Sequence, residues 1–130
     1  MLKKKKICFI SSTRADYSLL LPLILKIKKD KIFTQQLIVT GSHLEKKFGN
    51  TINEIEKEKI KIDYKVRILG KNHIIDRLST IKSTSEALQN ISICISKLNP
   101  DLLIILGDRY EILAASIGAC FLRIPIAHIH

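Results

Sequence analysis

"LLIILGDRYEILAAS", Leu102 to Ser116, decides the fold class. Leu102 to Leu106 is an unbroken apolar run, the pattern of a strand covered on both faces. Gly107-Asp108-Arg109 interrupts it, and a helical pattern from Glu111 to Leu122 begins at once. Pro125 ends the following turn, and Ile126 to Ile129 starts another strand. A buried strand that runs straight into a helix and on into a strand is the repeating unit of a parallel sheet.

The same pattern extends towards the N-terminus. Lys6 to Ser11 is a short apolar strand. From Tyr17, the residues Leu20, Leu21, Ile24 and Ile27 fall at helical spacing and end in the lysine-rich turn Lys26–Lys31. Phe33 to Thr40 is a second strand closed by Gly41. Thr51-Ile52-Asn53-Glu54 matches a capping box and predicts a short surface helix to about Lys59. Ile62 to Leu69 predicts a third strand nearer the sheet edge. Asp76 to Leu98 sets Ile81, Leu88, Ile91, Ile95 and Leu98 on one helical face, stopped by Asn99-Pro100. The expectation is one Rossmann-like α/β domain, a doubly wound parallel sheet with right-handed crossovers.

Composition narrows the class. With 130 residues and 46% hydrophobic content the chain can bury a core. No segment approaches the roughly 20 apolar residues of a membrane span; Ile112 to Leu122 is the most apolar uncharged stretch. "MLKKKKICFISS" begins like a signal peptide but lacks a cleavage pattern, so a cytoplasmic location and no membrane partner are expected. Cys8, Cys94 and Cys120 lie far apart in apolar runs and read as buried reduced thiols. The net charge of +10 is spread over Lys3–Lys6, Lys26–Lys31, Lys46–Lys47 and Lys57–Lys65 without interleaved aromatics. It reads as a solvated basic face, and a nucleic-acid partner is not expected.

Ligands of open α/β sheets collect at the carboxyl ends of the strands. Three strand exits carry polar groups: Ser11-Ser12-Thr13-Arg14-Ala15-Asp16, Thr40-Gly41-Ser42-His43 and Gly107-Asp108-Arg109. His128 and His130 approach from the last strand. The first exit has no dinucleotide glycine fingerprint and no phosphate-loop lysine. Its hydroxyls, guanidinium and helix N-terminus suit a phosphate or diphosphate, while Asp16 and Arg14 read equally as a helix cap and a surface charge. Asp108 reads either as an N-cap with a reciprocal Glu111 or as a functional carboxylate. His43 is placed as a possible ligand contact and His73 as an exposed loop residue; no metal site is expected from His128 and His130.

These motifs resemble one family. "SSTRADYSLLLPLI" is similar to the first strand–loop–helix of the hydrolysing UDP-N-acetylglucosamine 2-epimerases, with their G-S/T-R-A-D/E-Y signature. "VTGSHLEKKFGNTINEIEKEKI" resembles their second strand exit, and "LGDRYEILAASIGACFLRIPIAHIH" their G-D-R-Y/F-E/D block and the start of their H-I-H/E-G-G-E block. The resemblance spans nearly the whole chain. It implies a glycosyltransferase-B arrangement of two Rossmann-like domains with a sugar nucleotide between them. Residues 1–130 would be the N-terminal domain, with the C-terminal domain absent. Such enzymes remove the sugar C2 proton, expel UDP to give a 2-acetamidoglucal and add water, feeding sialic- or legionaminic-acid-like surface sugars without a cofactor.

By the same resemblance, Asp108, Glu111 and His130 are the catalytic candidates. Arg14, Thr13, Asp16, His43 and Arg109 are the substrate-binding candidates, with Arg14 at the diphosphate and Asp108 at the sugar. UDP-N-acetylglucosamine and UDP-diacetylbacillosamine fit equally. The family's glycine before S/T-R is Ser12 here, and the G-G-E after His130 is absent. The expectation is therefore a fragment of a larger enzyme, inactive until a missing C-terminal domain or a homo-oligomer partner completes it. The other readings are a non-hydrolysing 2-epimerase, whose R-P-E-A stands against Arg14-Ala15-Asp16-Tyr17, and a non-catalytic phosphate- or nucleic-acid-binding α/β module.

Overall fold

The computed structural model describes residues 3–45, 51–68 and 77–130. They form five strands and four α-helices: β1 Lys5–Ser11, α1 Arg14–Lys29, β2 Phe33–Thr40, α2 Ile52–Lys57, β3 Tyr64–Val66, α3 Arg77–Leu98, β4 Leu102–Leu106, α4 Tyr110–Phe121 and β5 Ile126–Ile129. A 3-10 turn, Gly41–Leu44, follows β2. The strands make one sheet in the order β3-β2-β1-β4-β5, and every pairing is parallel. This is the expected doubly wound Rossmann-like sheet.

The alternation of side chains along each strand explains why the sheet is covered twice. On β1, Cys8 and Ile10 face one layer while Ile7 and Phe9 face the other. The first layer packs against Ala87, Ile91 and Ile95 of α3 and Ile112, Ala115 and Ala119 of α4. The second packs against Tyr17, Leu20 and Ile24 of α1 and Ile52 and Ile55 of α2. Each fully buried large aliphatic contributes about 1.5–3 kcal/mol, so the two-sided cover of β1, β2 and β4 dominates stability.

Several local expectations change. α1 begins at Arg14, not Tyr17, because Thr13 is its N-cap and Asp16 closes a capping box from the third helical position. At Thr51 no capping bond forms; the backbone there is already helical and the hydroxyl contacts His43 instead. α2 is not merely a surface element, since Ile52 and Ile55 are buried. β3 is an edge strand as expected but only three residues long. Its approach is fixed by Asp63, whose carboxylate accepts from Leu37 N while its own N–H donates to Leu37 O.

Ile81 is exposed rather than on the packed face of α3, which docks through its later turns. Of the three thiols only Cys8 is fully buried, and burial raises its pKa; Cys94 is half-buried and Cys120, at the outer end of α4, is exposed. Leu69, Lys46, Lys47, His73 and Asp76 lie outside the described residues. Among the described residues no helix is long and apolar enough to cross a membrane.

α3 and α4 meet at Gly118, where an added Cβ would fall 2.0 Å from Ser92 Oγ and 3.1 Å from its Cβ. Ser92 Oγ is itself buried without a hydrogen-bond partner among the described residues. Gly118→Ala should therefore destabilise the chain by about 1–3 kcal/mol, against the gain in helix propensity. Ser92→Ala should be neutral or stabilising and should recover part of the loss in the double variant. Urea denaturation of the four chains measures both effects.

Candidate functional site

The order of the strands reverses between β1 and β4, which lead to helices on opposite faces. The carboxyl ends of these neighbours open the crevice where ligands of such sheets bind. The β1–α1 loop is built around a single buried carboxylate. Asp16 accepts from Ser12 N at 3.0 Å, Thr13 N at 3.0 Å, Ser12 Oγ at 2.9 Å and the Ser11 hydroxyl. In return Asp16 N donates to Thr13 Oγ1 at 3.2 Å. The N–H groups of Arg14 and Ala15, the first two residues of α1, receive no partner among the described residues. They are the unsatisfied donors that a helix offers to an anion.

The β2 exit locks onto this loop. Gly41 has φ +62°, and it lies so close to the end of β1 that an added Cβ would be 2.7 Å from Ser12 O. Ser42 donates to that same carbonyl from its N–H at 2.9 Å and its hydroxyl at 3.1 Å. His43 is 0% exposed. Its Nε2 lies 2.7 Å from Ser11 Oγ and its Nδ1 contacts Thr51 Oγ1. The Tyr17 ring stands edge-on to it at 6.1 Å. Burial lowers the His43 pKa, and the Asp16 charge opposes this only in part.

The β4 exit supplies charge. Gly107, at φ +89°, turns the chain outward, and Arg109 rather than Asp108 takes the N-cap position of α4, without a side-chain cap. The cap reading of Asp108 is thereby corrected. Its carboxylate is exposed and makes no hydrogen bond among the described residues. Glu111 is 0% exposed and grips the Arg109 guanidinium with two bonds, Nε to Oε2 at 3.1 Å and Nη2 to Oε1 at 3.0 Å. These bonds raise the Arg109 pKa, and the Asp16 charge reaches it as well. A buried carboxylate is costly unless paired this way. The Glu111 Oε1 also lies 3.2 Å from where a Gly41 Cβ would be, so all three strand exits meet around it.

The predicted residues thus separate by depth. Arg14, Asp108 and Arg109 reach solvent at the rim, and Thr13 is half-buried beside them. Asp16, His43 and Glu111 are buried beneath. Arg14, 69% exposed, is held at 3.3 Å by Glu54 of α2. His130 is exposed at the end of β5, with φ +65°. His128 lies 2.7 Å from Gly107 O through Nε2, tying β5 to the β4 exit. No group of three or more His, Cys, Asp or Glu side chains among the described residues could hold a metal ion. The sequence places Ser11 among the loop hydroxyls and Thr51 in a capping box; only the pairing of strands and turns brings them to Asp16 and His43.

Burial disfavours a proton on His43 in the folded chain, whereas the unfolded chain takes one up below the ordinary value of 6.5. The unfolded state then binds more protons, so stability falls as pH drops through that value. The loss is at most about 1.4 kcal/mol per pH unit. Urea denaturation at pH 7.5 and 5.5 should show a shallower loss for His43→Gln than for the unsubstituted chain. Equal losses would mean that the ring titrates alike in both states.

Comparison with known proteins agrees with this architecture. A family model described as UDP-N-acetylglucosamine 2-epimerase matches residues 25–130. The chain is 43% identical over 128 residues to the GDP/UDP-N,N'-diacetylbacillosamine 2-epimerase (hydrolyzing) of Campylobacter jejuni, covering 98% of this chain and 33% of that one. It is 32% identical over 126 residues to the UDP-N,N'-diacetylbacillosamine 2-epimerase (hydrolyzing) of Legionella pneumophila, covering 97% and 33%. Among solved structures, UDP-GlcNAc 2-epimerase from Neisseria meningitidis bound to UDP-GlcNAc superposes with a TM-score of 0.79 at 25% identity, over 95% of this chain and 32% of that one. The chain spans about a third of the length of the curated relatives it matches. By sequence and by fold, the chain belongs to the UDP-N-acetylglucosamine 2-epimerase family.

Proposed function

We propose that the chain forms the N-terminal, sugar-facing domain of a hydrolysing 2-epimerase acting on a UDP-N-acetyl sugar, with a diacetylbacillosamine-type sugar favoured. One observation carries the reading. Two neighbouring strands from distant parts of the sequence deliver a helix N-terminus, the Arg109 guanidinium and the exposed Asp108 carboxylate to one rim. The relative at 43% identity is named for diacetylbacillosamine, which supports that substrate.

In this reading the diphosphate lies against the Arg14 and Ala15 N–H groups and between Arg14 and Arg109. Arg109 is the better anchor, because Glu111 fixes its plane with two bonds and leaves its outer N–H groups free. Arg14 must first leave or share Glu54. Asp108 faces the sugar and serves the C2 proton or its positioning. Cleavage of the C2–H and C1–O bonds gives UDP and a 2-acetamidoglucal, and water adds to yield the 2-epimer. His130 and the rest of the polypeptide complete the acid–base set, since both faces of the sugar need a group in place. Neither metal nor redox cofactor enters this chemistry. The reaction belongs in the cytoplasm, where it would feed surface-polysaccharide synthesis.

With the remaining two-thirds of the Campylobacter relative fused after His130, Asp108→Asn should lower UDP release by at least about a hundredfold, the usual scale of a lost acid–base group. Its melting temperature should stay near the parent's, because Arg109 and not Asp108 is the N-cap of α4. Full activity in that variant would remove Asp108 from the chemistry. Arg109→Lys keeps the charge but not the fork, and should weaken UDP binding about tenfold by calorimetry. An unchanged affinity would place the diphosphate elsewhere.

A further inference from the structure

Beneath the loop lies a row of buried side chains that the proposed chemistry does not use. Thr51 precedes α2, His43 sits in the turn after β2, Ser11 ends β1, and Asp16 belongs to α1. All four are buried, and consecutive members are in hydrogen-bond contact. Hydrogen inventory fixes their direction. The Asp16 carboxylate only accepts, and it lies far nearer the Ser11 hydroxyl than the Thr13 carbonyl does at 3.4 Å, so Ser11 gives it its one proton. Ser11 Oγ must then accept from His43, whose Nε2 therefore carries a hydrogen. Burial disfavours the charged ring, and in the neutral ring with Nε2 protonated Nδ1 is bare and accepts from the Thr51 hydroxyl. The charged groups facing the ring are Asp16 from α1 and Glu54 from α2, while Tyr17 closes its side.

A histidine satisfied in this way could be a core residue and nothing more. What sets His43 apart is the far end of the row. Asp16 also holds Ser12 N, Thr13 N and Ser12 Oγ, and so fixes how α1 begins. We infer that His43 is a positioning residue: as its Nε2–H tautomer it steers the Ser11 hydroxyl onto Asp16, and thereby sets the pose in which α1 offers its free Arg14 and Ala15 N–H groups to a diphosphate. The ligand named here rests on the proposed function; the hold of the row on the loop does not. Thr51 extends that hold to α2, whose Glu54 also grips Arg14. The guanidinium and the helix N-terminus are thus adjusted by the same two elements.

The test uses the 130-residue chain labelled with 15N and titrated with UDP and with inorganic pyrophosphate. Two-bond imidazole spectra should report the Nε2–H tautomer for His43. Thr51→Val should alter the Nδ1 signal, move the Arg14 and Ala15 amide signals and weaken UDP about threefold, as expected for one buried hydrogen bond. His43→Leu should move those amides further and weaken UDP about tenfold. His43→Gln, whose amide nitrogen can still donate to Ser11, should restore most of both. If His43→Leu does not fold, Thr51→Val and His43→Gln decide the matter. An Nδ1–H tautomer overturns the inference. So does a lowered melting temperature with native amide shifts and native UDP affinity, which would make His43 core filling only. If the amides respond as stated while neither UDP nor pyrophosphate binds the parent chain, the diphosphate reading falls and the hold of His43 on the loop stands.

Discussion

The rim depends on a carboxylate that has been taken out of water and surrounded by hydrogen-bond donors. Asp16 accepts four hydrogen bonds from three consecutive residues, Ser11, Ser12 and Thr13. Charge-assisted bonds of this kind are roughly twice as strong as neutral ones, and they fix geometry as well as energy. Through them the end of β1 and the start of α1 become one rigid corner. Gly41 can then approach Ser12 O only because it has no Cβ, and Glu111 can settle beside Gly41 only because that approach is made. Remove the corner and the remaining contacts lose the surface they were shaped against.

Charge is distributed here by depth. The acidic groups Asp16 and Glu111 lie underneath, each neutralised by N–H donors or a guanidinium. The cationic Arg14 and Arg109 and the bare N–H groups of α1 lie above them. A ligand arriving from solvent meets both arginines at the rim, with the exposed Asp108 beside Arg109 and Glu54 beside Arg14. The overall charge of +10 adds a weak, long-range attraction of the same sign that salt would screen.

Much of this architecture is legible in the sequence. β2 and β5 have the boundaries that their apolar runs predict, and β4 is covered on both faces as an uncharged five-residue run implies. Local pattern misleads where one side chain has two possible partners. Asp16 reads as the cap of a helix starting at Tyr17, yet Thr13 supplies the cap and the helix gains three residues. Thr51 and Asp108 both sit where a capping box would put them, but the Thr51 hydroxyl goes to His43 and Asp108 goes to solvent. Local spacing cannot see a competitor 8 residues away in a neighbouring turn, still less one on another strand. Ile81 misleads for a different reason: helical periodicity marks a face, not how many of its turns find something to rest on.

β1 and β4 are paired side by side, although Lys6 and Asp101, bonded across them, are 95 positions apart. As the nascent polypeptide leaves the ribosome, β1 must wait for nearly all of these residues to be made before it meets β4. Loop-closure entropy over such a separation makes this pairing slow compared with local helix formation. The crevice between the two strand ends therefore comes into being late and as a whole.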